Sequence, residues 1–251
     1  MNENAGLVRQ AEWFAQELEN LLTAVLGARE TPYTGVPVGV DNRGEESFLI
    51  RQADPEGVPL TVDGRPLLRL AYRFRCTCSN PVNELQVEDS GISLRAEADA
   101  EPMFHYDYVR SVRGTIPAAH INVHASNDSA TKAMLACGAK AQGRNRRREF
   151  VQRGFFPTFS SLHFPVGGDR LRPGLEDVLQ MAVYEFGIDT EGGWLDVIEE
   201  SRERYRETQL RAFVREFPDI AFGELRSGGY LNGDTVVRPE RVGRPSRLKR
   251  Y

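Results

Sequence analysis

Cysteine and histidine are scarce in this chain, three and four among 251 residues. Cys76, Cys78 and Cys137 are odd in number. Cys76 and Cys78 share one face of an alternating stretch, poor geometry for a mutual disulfide. A reduced, cytoplasmic protein is therefore expected. No apolar run approaches the roughly 20 residues of a membrane span, so no membrane partner is expected. The N-terminal apolar pattern is broken by Glu3, Glu12, Glu17 and Glu19, unlike a signal peptide. A net charge of −4 excludes a protein that coats nucleic acid by bulk electrostatics, while leaving a local basic patch open. There is no P-loop, no GxGxxG after a strand and no GxSxG elbow. Nothing calls for a cofactor, and none is expected.

What the chain does have is clear periodicity. Leu7, Ala11, Phe14, Leu18, Leu21 and Val25 recur in steps of four and three, which predicts an amphipathic helix over 5–26 ended by Gly27. That seam fits either its own core or a partner helix. Residues 28–46, rich in Gly, Pro and charge, read as a loop. Short strands are expected at Phe48–Ile50 and Leu60–Val62, with Asp63-Gly64 as a hairpin turn and Pro66 delaying re-entry into the sheet. In 68–78 Leu68, Leu70, Tyr72, Phe74 and Cys76 alternate with Arg69, Arg73 and Arg75, a strand with one apolar face. Glu84–Glu88 and Ile92–Ala96 suggest another hairpin about Asp89-Ser90-Gly91. A short helix is expected over 128–138. The Arg-rich run that follows reads as a solvated face or mobile loop, or as a phosphate contact. Leu175, Val178, Leu179, Ala182, Val183 and Phe186 mark a buried helix stripe ending at Gly187, with Pro173 in its first turn. A long charged helix follows to Phe217, with Glu200–Arg204 and Glu207–Arg211 spaced as i,i+4 pairs.

The expected fold is α+β, a curved antiparallel sheet flanked by N-terminal and C-terminal amphipathic helices. Its expected divisions are a helix at 1–27, a sheet domain at 28–170, a helical region at 171–225 and a basic flexible tail at 226–251.

Three of the four histidines lie in 102–124. Phe104–Tyr108 and Ala119–Ala125 both alternate, placing His105 and Asp107 in one polar row and His120, Asn122 and His124 in another. Paired antiparallel about a loop centred near Arg113, they set Asp107 opposite His120 and His105 opposite Asn122, with Cβ atoms about 5 Å apart. A carboxylate beside an imidazole orients it and favours its charged form, and a second histidine completes an acid/base set. The catalytic candidates are therefore His105, Asp107, His120 and His124. Metal binding fits poorly, because His120 and His124 are about 13 Å apart along a strand. Arg69, Arg73 and Arg75 on the neighbouring polar face suit phosphate recognition. Arg144, Arg146, Arg147 and Arg148 suit a polyanion, and Asn122 and His163 complete the candidate binding set. His124-Ala125-Ser126 matches the HxS/T element of two-histidine phosphoesterases, whereas His163-Phe164-Pro165 lacks its hydroxyl.

The run SSLHFPVGGDRLRPGLEDVLQMAVYEFGIDTEGGW, with AHINVHAS before it and RERYRETQLRAFVRE after it, resembles a group of uncharacterised bacterial proteins over about 100–225. Over about 70–125, an aromatic strand followed by a proline and an AHxxVH strand with a partner histidine is similar to TumE-like toxins of toxin–antitoxin modules. That resemblance implies a compact α+β protein acting on RNA and neutralised by a helix-turn-helix antitoxin. The preferred expectation is a cytoplasmic bacterial toxin-like or defence-associated protein, a metal-independent RNase using a histidine-lined sheet face, with RNA and an antitoxin or other protein as partners. The alternative is a non-enzymatic interaction module that forms homo-oligomers through its helices.

Overall fold

The computed structural model describes residues 3–39, 47–77, 84–111, 116–125, 131, 141–161, 164–166 and 172–231. Cys78, Cys137, His163, the helix expected over 128–138 (Thr131 excepted) and the tail beyond 231 lie outside them. The chain is α+β, as its periodicities predict. Helix α1 (Glu3–Leu26) leads into β1 (Val38–Gly39), β2 (Ser47–Arg51), β3 (Val58–Val62), β4 (Arg65–Thr77), β5 (Gln86–Ala96), β6 (Phe104–Val109) and β7 (Ala119–Val123). Then come α2 (Ala141–Arg153), a 3-10 turn at Phe159–Ser161, β8 (Phe164–Pro165), α3 (Leu175–Phe186), α4 (Trp194–Glu216) and α5 (Pro218–Ser227). The strands form one antiparallel sheet in the order β1-β2-β4-β5-β6-β7-β8.

β4 organises it. One of its edges is shared end to end, with β3 pairing Arg65–Leu70 and β2 pairing Arg73–Thr77. Between them Gln52 bridges the break: its side-chain oxygen accepts from the Tyr72 N–H at 2.9 Å, and its own N–H donates to the Tyr72 carbonyl. The other edge pairs with β5 along its length.

The apolar face of β4 is closed to water, with Leu70 and Cys76 at 0% exposure and Tyr72 at 1%. Helices α1, α3 and α4 cover it with Leu22, Val25, Val178, Leu179 and Ile198, because each carries one apolar stripe. The α1 seam is therefore spent in its own core rather than on a partner helix. Gly27 takes φ +90° and donates to the Thr23 carbonyl, and Gly187 takes φ +64°, so both helices end in left-handed caps.

Several expectations need correction. Asp89-Ser90-Gly91 is no turn: β5 runs through it, because these residues are laddered to β4 on one side and β6 on the other. The irregularity lies one step earlier, where the register shifts between Arg75 and Cys76. Pro66 delays nothing; it pairs with Thr61 just past a register shift in β3, which accommodates a residue without an N–H. The Asp63-Gly64 turn is as expected, with both residues at positive φ. Pro173 precedes the helix, whose N-cap is Gly174. Of the two readings of the Arg-rich run, the solvated face holds and the loop does not: it is helix α2, with Arg144, Arg147 and Arg148 exposed. Arg204 reaches Glu17 of α1 at 3.6 Å rather than Glu200, while Glu207–Arg211 pairs as expected.

Candidate functional site

Strands β6 and β7 pair in the expected register, with Asp107 opposite His120 and His105 opposite Asn122. Alternation then puts the polar row of each strand on the face opposite the helical core. On that face the side chains form a connected row. Glu101, in the loop before β6, accepts from His124 Nδ1 at 2.8 Å. His124 Nε2 lies 3.0 Å from His105 Nδ1, and His105 Nε2 lies 3.2 Å from Asp107 Oδ2. His120 Nε2 is 3.8 Å from the same Asp107 oxygen, beyond hydrogen-bond reach, while its Nδ1 is 3.0 Å from the Pro117 carbonyl.

The two imidazoles thus lie end to end between two carboxylates, Glu101 beside His124 Nδ1 and Asp107 beside His105 Nε2. His120 is oriented differently: a carbonyl only accepts, so its Nδ1 is the donor to Pro117.

Burial pushes the Asp107 carboxyl up, but the His105 hydrogen bond and the charges of His105, His120 and Arg73 outweigh it and hold Asp107 below the usual carboxylate range. Asp107 is ionised at neutral pH.

Beside the row is an open cavity of about 290 Å³ lined by Arg51, Arg73, Ser93, His105 and Asp107. Gly91 makes its floor. β5 places Gly91 between Arg73 of β4 and Asp107 of β6, and a Cβ there would meet Asp107 Oδ1 at 3.2 Å and Arg73 Nε at 3.5 Å. A missing side chain thus creates the space that the carboxylate and the guanidinium share.

The other candidates fall into different places. His120 and Asn122 are buried, at 4% and 2% exposure, although the polar row reads in sequence as solvent-facing. Asn122 Nδ2 donates to the Ser160 carbonyl at 2.7 Å, and His120 pairs with Pro165 of β8. Among the row's members, His105 and Asp107 are the ones that line the cavity. Arg69 is held by Glu97 through two bonds of 2.6 and 2.9 Å, and its position is structural. Arg73 and Arg75 both bind Asp89, with Arg73 over half exposed at the cavity. Arg144, Arg147 and Arg148 are exposed on α2, away from the cavity lining. Arg146 reaches back to the Ser161 carbonyl at 3.5 Å. His163 lies outside the described residues.

Sequence reasoning missed Glu101, Arg51 and Gly91. Glu101 follows Glu97 and Asp99 in a locally acidic run that singles out none of them, and Gly91 reads as part of a turn. Among the described residues no group of three or more His, Cys, Asp or Glu side chains is arranged to hold a metal ion, and no helix is long and apolar enough to cross a membrane. No family model, curated protein or solved structure matches the chain.

Proposed function

We propose that this protein is a metal-independent ribonuclease of the bacterial toxin or defence type, working in the cytoplasm on the histidine-lined face of its sheet. The observation that carries the proposal is the Glu101–His124–His105–Asp107 row at the rim of a cavity that also holds Arg51 and Arg73. An ionised acceptor, an imidazole pair and two guanidiniums are the parts that phosphodiester transfer requires. In the step, Asp107 accepts the 2′-hydroxyl proton as the 2′-oxygen attacks phosphorus. Arg73 and Arg51 face the charge that develops on the phosphoryl oxygens. The bond to the 5′-oxygen breaks, and His105, which lines the cavity, gives that oxygen the proton on its Nε2. The products are a 2′,3′-cyclic phosphate and a 5′-hydroxyl. The proton on Asp107 then returns to His105 Nε2, 3.2 Å away, which restores the starting state. Buried His120 supports Asp107 without touching substrate, a narrower role than the sequence gave it. The likeness to TumE-like toxins points the same way, and an antitoxin would then be the natural protein partner.

The test is cleavage of a labelled single-stranded RNA by the purified chain, with and without EDTA, beside folded His105→Ala and Asp107→Asn variants. The expected result is EDTA-resistant cleavage that leaves a cyclic phosphate and falls about 100-fold or more in either variant. Cleavage retained in both variants, or none by the wild type, sinks the proposal.

A second reading has one observation in its favour. Leu210 and Val214 of α4, and Ile220 and Leu225 of α5, are 45–60% exposed, an apolar surface suited to assembly. A concentration-dependent oligomer with no histidine-dependent phenotype would support an interaction module instead.

A further inference from the structure

The surface feature left unexplained by the cavity is α2 with Phe155 and Phe156 just beyond its Gly154 cap. Its sequence, AQGRNRRREFVQR, holds five arginines and one glutamate, in a chain whose net charge is −4. That glutamate, Glu149, is itself bonded to Arg153 at 3.1 Å. Gly154 ends the helix at φ +70°, donating to the Phe150 carbonyl, and the chain then turns to present Phe155 and Phe156. Both are over 60% exposed, and the Phe156 ring lies 4.6 Å from that of Phe150. Two large aromatic side chains thus leave most of their surface in water beside a row of arginines.

From this arrangement we infer that α2 and Phe155–Phe156 form a binding platform for single-stranded RNA, delivering it to the histidine row; the second half of this rests on the nuclease reading. Arginines along one helix supply phosphate contacts, and exposed rings supply stacking surfaces for unpaired bases. A duplex keeps its base faces inside its own stack, so it can use the cations but not the rings. An acidic peptide has the same shortcoming. Only an unpaired strand engages both.

The connection to the cavity is short. Pro157–Ser161 follow the two rings directly. Ser160 receives the hydrogen bond from Asn122, which pairs with His105 across the β6–β7 ladder, and Ser161 receives Arg146 of α2. Four residues span at most about 14 Å, so Phe156 lies within a few nucleotides' reach of the row. The turn that meets Asn122 is thus also what fixes the platform beside the site.

The experiment is fluorescence anisotropy on the full chain carrying His105→Ala, so that the probe stays intact. The probes are a short labelled oligouridylate and a duplex RNA of equal length, with polyglutamate as competitor. The expected results are preference for the single strand and a linear fall of log affinity with log salt of about 0.7 per phosphate engaged. Phe155→Ala with Phe156→Ala should weaken binding about tenfold or more with the salt slope unchanged. Arg147→Gln with Arg148→Gln should reduce the slope by about 1.4. Circular dichroism confirms that each variant is folded. Equal affinity for the duplex, tighter binding of polyglutamate or no effect of the phenylalanine changes would each overturn the platform. RNA cleavage by the protein with native His105 is scored separately. Binding without cleavage removes the nuclease and keeps the platform, whereas cleavage indifferent to the phenylalanines does the reverse.

Discussion

The two faces of β4 are built from alternate residues of one strand, yet they are held by different physics. On one face Leu68, Leu70, Tyr72, Phe74 and Cys76 meet the helices, and burial of apolar surface does the work. On the other, Arg69 is bound by Glu97, and Arg73 and Arg75 by Asp89, each through specific partners. Burial is non-directional, so the first face tolerates many arrangements of the right volume. The second depends on particular atoms meeting, and its continuation across β5 and β6 carries the cavity and the histidine row. One face stabilises the protein, and the other carries the candidate site.

The comparison breaks most visibly on the apolar side. Replacing Leu22, fully enclosed beneath the sheet, with Ala should cost about 2–5 kcal/mol and shift the urea midpoint accordingly. Gly91→Ala on the polar side should show the opposite signature. Its Cβ would crowd Asp107 Oδ1, so RNA cleavage should fall severalfold or more, while the unfolding free energy changes by less than about 1 kcal/mol. A large stability loss with intact cleavage would reverse the assignment of the two faces.

Smaller effects sharpen it further. Tyr72 puts its hydroxyl 2.9 Å from Thr34 Oγ1 and 3.2 Å from the Tyr33 carbonyl at the edge of the apolar layer. Tyr72→Phe should therefore cost about 0.5–1.5 kcal/mol by chemical denaturation. Asp107 gives a pH signature. Its folded value is depressed below the unfolded one, so its contribution to stability is present above about pH 3.9 and is lost as pH falls through the folded value. Asp107→Asn should flatten that part of the acid limb of the stability curve, and an unchanged limb would show that Asp107 is not held by its neighbours. Least disruptive is a probe of Cys76, whose thiol burial pushes up to about 12. It should resist alkylation in the native state and react on unfolding.

The same contrast explains what was legible in the sequence. The stripes of α1, β4 and α3 could be read because burial repeats with the period of the element. The β6–β7 register could be read because both rows are short and face one another across a single loop. Glu101 and Gly91 could not, since their roles depend on residues brought near by the fold: Glu101 meets His124, 23 positions on, and Gly91 sits between Arg73 and Asp107. Three small polar residues in succession read locally as a turn, and the pairing of β5 on both edges overrode that preference. Asn122 misled in the other direction. Alternation tells which face a side chain takes, but not whether a later segment, here the turn at Phe159–Ser161, meets and buries it.

The end-to-end sharing of one β4 edge has a consequence for how such a protein can diversify. Where β2 stops and β3 begins, Gln52 carries the ladder, and the short connection from Ala53 to Gly57 follows directly on Arg51 and Gln52 of the cavity lining. Extra residues inserted there would leave every β4 pairing in place. Doubling the loop length costs only about 0.6 kcal/mol in closure entropy. The site's rim can thus be remodelled by lengthening one connection, while the sheet that aligns its reactive groups stays as it is.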